Sequence, residues 1–160
     1  MGTKPKRYSP LLNVFDDRGY HNTPNMDVEA KIARGKDFFT KVYAQHTNRV
    51  LTNLGRGHPD LPIYAIESLY GELLSEFSVL NEQSTSLLEM VACISSNAIP
   101  QAKGHVYGAR NMGEPVELIQ QCVQLVAFLS KLEGVKVEFG KMQFLEKVGV
   151  KIPVENGVQE

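Results

Sequence analysis

Hydrophobic residues recur at steps of three and four through most of the chain, which is the spacing of amphipathic helices. The first such segment starts beyond Asp27, and Gly35 is expected to interrupt or bend it. Its apolar side carries Val28, Ile32, Phe39, Val42 and Tyr43. Residues 55–60 have the composition of a loop, and Asp60 is placed to cap a helix that extends to Phe77. No stretch alternates with period two, so the pattern predicts an all-α fold.

Two helices in the middle of the chain are expected to form a hairpin. The first carries residues 87–95 and the second carries residues 102–112. The link over 96–99 is too short to join anything except neighbouring antiparallel helices. Gly113 is placed to end the second helix, and Pro115 is placed in the first turn of the next one.

The helix that follows Pro115 is apolar on more than one side. Its apolar residues are Val116, Leu118, Ile119, Cys122, Val123, Leu125, Val126, Phe128, Leu129 and Leu132. Such a helix is buried on two sides, either centrally or at a subunit interface, so we expect a homo-oligomer. Gly134 ends it, and a last helix is predicted over 137–148. The pattern therefore predicts one bundle of about six to seven helices with a central antiparallel hairpin.

The length of 160 residues fits one domain. Residues 1–26 have neither helical nor strand period and are interpreted as an N-terminal arm. Residues 27–150 form the predicted helical domain, and residues 151–160 form a polar tail.

Charge and composition restrict the function classes. The 17 basic and 18 acidic residues are scattered and give a net charge of -1, which lacks the basic patch that nucleic-acid binding requires. The sequence has no signal-peptide core and no apolar stretch long enough to span a bilayer, so we expect a cytoplasmic protein without membrane contact. Cys93 and Cys122 show no CxxC or metal-ligand spacing and are interpreted as buried, reduced thiols. With no ligand cluster and no glycine-rich phosphate loop, no metal or organic cofactor is expected.

His105 is the main candidate for chemistry. It lies on the apolar side of a helix among small residues, and an imidazole exchanges protons near neutral pH. Gln101, one turn earlier on the same side, is placed to orient the imidazole or to donate to an oxyanion. The candidate substrate-binding residues are Tyr64, Tyr70, Ser86 and Arg110. Each of the six also has a structural interpretation, as a core, capping or solvent-exposed residue.

Taken in order, these features resemble the carboxymuconolactone decarboxylase family over about residues 35–149. The resemblance rests on Tyr70-Gly71-Glu72, on Thr85-Ser86-Leu87 with the helix ending Ser95-Ser96-Asn97, on His105 followed by Ala109 and Gly113, and on Glu117-Leu118-Ile119. The alkylhydroperoxidase D-like branch carries a CxxC pair and a glutamate at positions that hold Ala98, Gln101 and Ser86 here. The chain is therefore more similar to the decarboxylase branch.

This resemblance implies a cofactor-independent lyase or isomerase. Its substrate would be a small unsaturated acid, a lactone or a phenolic polyketide-like molecule, with His105 as the acid or base and Gln101 assisting. It also implies trimers or dimers of trimers. The alternatives are a non-catalytic oligomeric binding or scaffold protein of the same fold and, less favoured, a thiol peroxidase, which the missing cysteine pair argues against.

Overall fold

The described part of the chain is helical and contains no strand, as the hydrophobic pattern predicts. The structure, a computed structural model, describes residues 28–153, so the predicted arm and the end of the predicted tail lie outside it. Its α-helices are α1 Val28–Tyr43, α2 Thr47–Gly57, α3 Leu61–Tyr64, α4 Glu82–Ser95, α5 Ile99–Asn111, α6 Val116–Leu132 and α7 Phe144–Lys147. A π-helix, Ala65–Leu74, continues α3, and two 3₁₀ turns span Ala44–His46 and Phe139–Lys141.

The predicted central hairpin is present as α4 and α5. Glu89 lies six residues before the end of α4 and faces His105, six residues after the start of α5, so the two helices run antiparallel. The Asn81 side chain caps α4 by accepting a hydrogen bond of 2.8 Å from the backbone N–H of Ser84. Asn97 turns the chain between the helices with φ +57°, a conformation that asparagine tolerates better than most residues.

Two groups of buried residues hold the helices together. The larger one joins α4, α5, α6 and the segment after α6, and includes Met90, Ile94, Val106, Ile119, Val123, Met142 and Leu145. The smaller one lies mainly between α1 and the π-helix and consists of Phe38, Phe39, Val42, Ile66 and Tyr70. The hairpin thus lies between the large core on one side and α1 on the other.

Gly35 does not interrupt α1, contrary to expectation. It lies within the continuous helix Val28–Tyr43, where its lack of a side chain lets the π-helix approach closely. A Cβ atom at Gly35 would lie 1.9 Å from the carbonyl oxygen of Ile66, and one at Gly71 would lie 2.5 Å from that of Lys31. The two glycines allow backbone-to-backbone packing of α1 against the π-helix.

Three boundaries differ from the sequence prediction. Residues 55–57 belong to α2, which continues until the extended residue His58 because the following proline disfavours helical geometry there. The helix after Asp60 ends at Leu74, so Phe77 lies beyond it. The expected helix over 137–148 is only a 3₁₀ turn and the single-turn α7, and the chain turns at Gly149 with φ +85°.

Side-chain amides attach this last segment to the bundle. The Asn97 amide donates to the carbonyl of Lys136 at 2.9 Å and accepts from the N–H of Glu138 at 2.7 Å. The Gln120 amide makes a similar pair of hydrogen bonds with the backbone of Lys151, at 3.2 and 2.6 Å. The segment is therefore fixed by amide hydrogen bonds as well as by its apolar residues. Within residues 28–153, no helix is long and apolar enough to cross a membrane.

Candidate functional site

Four polar side chains from four helical segments meet beside the hairpin. The Nδ1 atom of His105 on α5 lies 3.7 Å from Oε2 of Glu89 on α4. The Tyr43 ring, at the end of α1, packs against the imidazole with 6.0 Å between ring centroids and 62° between planes. Tyr70 of the π-helix interacts through its hydroxyl group with the Glu89 carboxyl and the Tyr43 hydroxyl. We call this cluster the Glu89–His105 site.

Small residues on α5 bring Tyr43 next to His105. A Cβ atom at Gly104 would lie 3.0 Å from Cε1 of Tyr43, and one at Gly108 would lie 2.8 Å from Cγ1 of Val42. The Asn111 side chain holds the same contact by donating to the Val42 carbonyl at 3.0 Å. The close approach of α5 to the end of α1 therefore depends on the absence of side chains at two glycines.

Burial determines the protonation of the site. It raises the pKa of Glu89 to about 7, although the Tyr70 hydroxyl opposes this shift. Burial lowers the pKa of His105 to about 4 and raises the pKa values of Tyr43 and Tyr70. In both Glu89 and His105 the loss of hydration therefore disfavours the charged form. Near neutral pH the imidazole is uncharged, both tyrosines are protonated and only the Glu89 carboxyl changes its charge.

Three buried polar atoms of this region have no hydrogen-bond partner within the described residues. They are Oγ of Ser86, Oε2 of Glu89 and Nδ1 of His105. Ser86 is completely buried and lies one helical turn before Glu89 on α4. Buried polar groups in folded proteins nearly always have partners, so an unpartnered group needs an explanation. Together the three provide one hydroxyl, one carboxyl and one imidazole nitrogen for hydrogen bonding.

Cys93 lies one turn after Glu89 on α4 and does not have the properties of a reactive thiol. Burial raises its pKa, and the nearby Glu89 charge raises it further. Burial also raises the pKa of Cys122 on α6. Since the thiolate is the nucleophilic form, both residues are held in the less reactive state at neutral pH.

Of the six candidate residues identified from the sequence, three lie at or beside the site and three are exposed at the protein surface. His105, Tyr70 and Ser86 are buried at or beside the site. Gln101 is exposed, Tyr64 is 60% exposed, and Arg110 is exposed and donates a hydrogen bond to the backbone carbonyl of Glu114. The binding or catalytic roles assigned to all six stay predictions.

Sequence reasoning missed two members of the site, Glu89 and Tyr43. Glu89 had a usable signal, because it is the single charged residue among the apolar residues Leu87, Leu88, Met90 and Val91. No sequence signal pointed to Tyr43, because it contacts His105 across a separation of 62 residues in the chain. Within residues 28–153, no group of three or more His, Cys, Asp or Glu residues is arranged to hold a metal ion.

Comparison with known proteins gives two relatives. Peroxisomal protein 2 of Saccharomyces cerevisiae is 28% identical over 132 residues, which is 82% of this chain and 47% of that protein. Peroxisomal protein 2 of Schizosaccharomyces pombe is 33% identical over 103 residues, which is 64% of this chain and 48% of that protein. The chain spans about half the length of these curated relatives. No family model and no solved structure matches it.

These relatives correct the expectations that rested on the family resemblance. The assignment to the carboxymuconolactone decarboxylase family is wrong, and with it the predictions of a lyase or isomerase and of a cytoplasmic location. Both relatives are named as peroxisomal proteins, and neither name describes an enzyme. The misleading motif has a structural cause: Ala109 packs in the core, and Gly113 follows α5 with φ +87°. Many packed helices that end at a glycine would show this spacing. In sequence, the chain is similar to Peroxisomal protein 2 of both organisms.

Proposed function

We propose that this chain is a peroxisomal protein whose helical domain binds a small uncharged molecule at the Glu89–His105 site. The names of both relatives support the location. The unpartnered buried atoms of Ser86, Glu89 and His105 support the binding role, and they are the observation that carries it. The proposal contains no chemical reaction.

The ligand chemistry follows from the atoms at the site. A serine hydroxyl donates and accepts, a protonated carboxyl does the same, and neutral imidazole has one donor and one acceptor nitrogen. A ligand with both donors and acceptors can therefore satisfy all three, whichever nitrogen of His105 carries the proton. A small molecule with a hydroxyl group next to a carbonyl group has this combination.

Burial favours an uncharged ligand over an ion. Glu89 and His105 both lose their charged forms in this environment, with pKa values of about 7 and about 4. An anion would lose its hydration and, above pH 7, would meet the Glu89 carboxylate. A cation would also lose its hydration, and between about pH 4 and pH 7 it would meet no formal charge on either residue.

Little of the site is exposed at the protein surface. The Glu89 and His105 side chains are 12% and 8% exposed, so solvent reaches part of each. Tyr43 and Tyr70 cover the site from the α1 side. The proposed ligand is therefore one of only a few heavy atoms.

The binding role is tested with hydroxyacetone as the probe, by calorimetric titration of the whole chain at pH 6. The proposal predicts saturable binding that weakens about tenfold in Ser86→Ala and in Glu89→Leu, since one hydrogen bond contributes about 1 kcal/mol or more. Gln101→Ala is the matched control, because Gln101 is exposed one turn before His105 on α5. Equal binding by all four proteins, or no binding by the wild type, would contradict the role.

The location is tested separately by fractionating cells that express the whole protein at its natural level. Co-sedimentation with a peroxisomal matrix or membrane marker is expected. Recovery in the cytosolic fraction alone would contradict the peroxisomal part of the proposal and leave the ligand-binding measurement as an independent result.

Self-association, predicted from the apolar character of α6, is also part of this proposal. In the described residues, α6 buries Ile119, Val123 and Val126 on one side and exposes Leu125, Phe128 and Leu132 on the other. Exposed apolar surface of this kind is typical of an interaction face.

A further inference from the structure

The exposed side of α6 has the spacing of a helix-pairing surface. Its residues at alternating steps of three and four are Leu118, Gln121, Leu125, Phe128 and Leu132. Leu125, Phe128 and Leu132 are 55%, 63% and 67% exposed, while Leu118 is half-buried. Leu129, adjacent to Phe128, is 46% exposed and widens the surface. Alternating steps of three and four are the a and d positions of a coiled coil, which pack against a second helix. We call this set the α6 seam.

Charges at the two ends of the seam indicate its partner. No charged residue occurs between Glu117, in the first turn of α6, and Lys131, in its last turn. Both are exposed, and they lie 14 residues apart, which is two heptads or about 21 Å along a helix. A second α6 packed antiparallel would bring Glu117 beside Lys131 of the partner subunit at both ends. A parallel copy would bring like charges together instead.

We propose that the α6 seam binds the α6 seam of a second copy of this chain, in antiparallel orientation about a two-fold axis. The pairing extends the proposed self-association by naming its surface and orientation, and it does not depend on ligand binding at the Glu89–His105 site. A two-fold contact produces a dimer or joins larger rings in pairs. A lone trimer contains no such axis, whereas a dimer of trimers does.

The test measures the mass of the whole chain by sedimentation over a range of concentrations. The wild type is expected to form a species built on two copies, and Phe128→Glu is expected to weaken its association at least tenfold while its helical circular dichroism is unchanged. Leu73→Glu is the matched control, because Leu73 is 66% exposed on the π-helix, outside the seam. The control is expected to associate as the wild type does.

A charge exchange distinguishes the antiparallel pair from other contacts. Glu117→Lys and Lys131→Glu are each expected to weaken association, and the double variant is expected to restore it. If the double variant stays as weak as the single variants, or if the wild type is a monomer at every concentration, the proposal is overturned. Flotation of a monomeric wild type with phosphatidylcholine vesicles would assign the seam to a lipid surface. If residues 1–27 are protected from protease in the wild type but not in Phe128→Glu, the seam would be assigned to the N-terminal arm. Either result overturns the pairing of two copies.

Discussion

The Nδ1 atom of His105 and the Oε2 atom of Glu89 face each other across the α4–α5 hairpin at 3.7 Å, too far apart for a direct hydrogen bond. An ion pair at this distance would be attractive, yet burial shifts both groups toward their neutral forms. The two atoms are therefore close enough to share a small ligand and are not satisfied by each other. The proposed ligand binding rests on this relationship.

The first prediction concerns the pH dependence of stability. Between pH 4.5 and about 7 the folded Glu89 holds a proton that the unfolded glutamate has lost, so this residue destabilises the fold as pH rises. Between pH 6.5 and about 4 the unfolded histidine holds a proton that the folded His105 lacks, so that residue destabilises the fold as pH falls. From pH 4.5 to 6.5, Glu89 and His105 together hold one proton in the folded state and one in the unfolded state. Their opposite effects on the pH dependence of the unfolding free energy therefore cancel.

Replacing either residue alone should make the pH dependence contributed by the other one measurable. Relative to the wild type, the free energy of unfolding of Glu89→Leu is expected to rise with pH from 4.5 to 6.5, and that of His105→Asn to fall, each by about 1 kcal/mol per pH unit. Urea unfolding at pH 4.5, 5.5 and 6.5 measures both differences. Differences that do not change with pH would show that the pair is not buried in the way described.

The second prediction separates stability from binding at Ser86. Its hydroxyl group is fully buried and has no partner within the described residues. Replacing it with a methyl group removes an unsatisfied polar atom, so Ser86→Ala is expected to raise the free energy of unfolding by about 1 kcal/mol without ligand. The same variant is expected to bind hydroxyacetone more weakly. Thermal unfolding with and without the probe measures both effects, and a clearly destabilised variant would mean that the hydroxyl has a structural partner.

The third prediction concerns the contact between α1 and the π-helix. Gly35→Ala would place a Cβ atom 1.9 Å from the Ile66 carbonyl oxygen, and backbone on both sides must move to admit it. A loss of about 3 kcal/mol or more of unfolding free energy is expected, as for other severe overpacking. Gly55→Ala is the control: its Cβ would lie 3.5 Å from Cγ of Pro62, and alanine favours a helix over glycine by up to about 1 kcal/mol. Similar effects of the two substitutions on urea unfolding would be inconsistent with this close packing.

The fourth prediction concerns the two thiols. Burial and the Glu89 charge raise the pKa of Cys93, so iodoacetamide should alkylate it more slowly than a free thiol under native conditions. Above pH 7, where the Glu89 carboxyl is ionised, Glu89→Gln removes the charge and is expected to speed Cys93 alkylation by about two- to fivefold, while Cys122 keeps its rate. Mass spectrometry of the two cysteine peptides measures this, with Cys122 as the internal control. A common acceleration of both thiols would indicate general loosening of the fold instead.

Most of the helical architecture can be predicted from the sequence, because residues close to each helix end determine where that helix begins or ends. The short link over 96–99 implies the α4–α5 hairpin, and Pro115 and Gly113 mark the turn that follows it. The end of the chain is different. Its apolar residues fit one helix over 137–148, but the hydrogen bonds from Asn97 and Gln120 hold a non-helical path that no local pattern reveals.

The candidate site is only partly visible in the sequence. His105 is recognised from its apolar helix side, but Gln101 and Arg110, chosen for their chemistry and spacing, are exposed on the same helix. Glu89 and Tyr43 join His105 through tertiary packing, which depends on the glycines of α5. The spacing around His105 reflects helix packing, and this explains why it suggested a family that the names of the relatives do not indicate.

The most direct test of the proposed ligand site follows Glu89 and His105 themselves during a titration. Carbon and nitrogen resonances of the Glu89 carboxyl and the His105 imidazole are recorded at pH 6 while hydroxyacetone is added to the labelled protein. The account predicts that both signals shift and saturate at the same probe concentration, and that acetone, which only accepts hydrogen bonds, has a smaller effect. Shifts that do not saturate, or that occur at neither residue, would contradict the assignment of this site to a small hydrogen-bonding ligand.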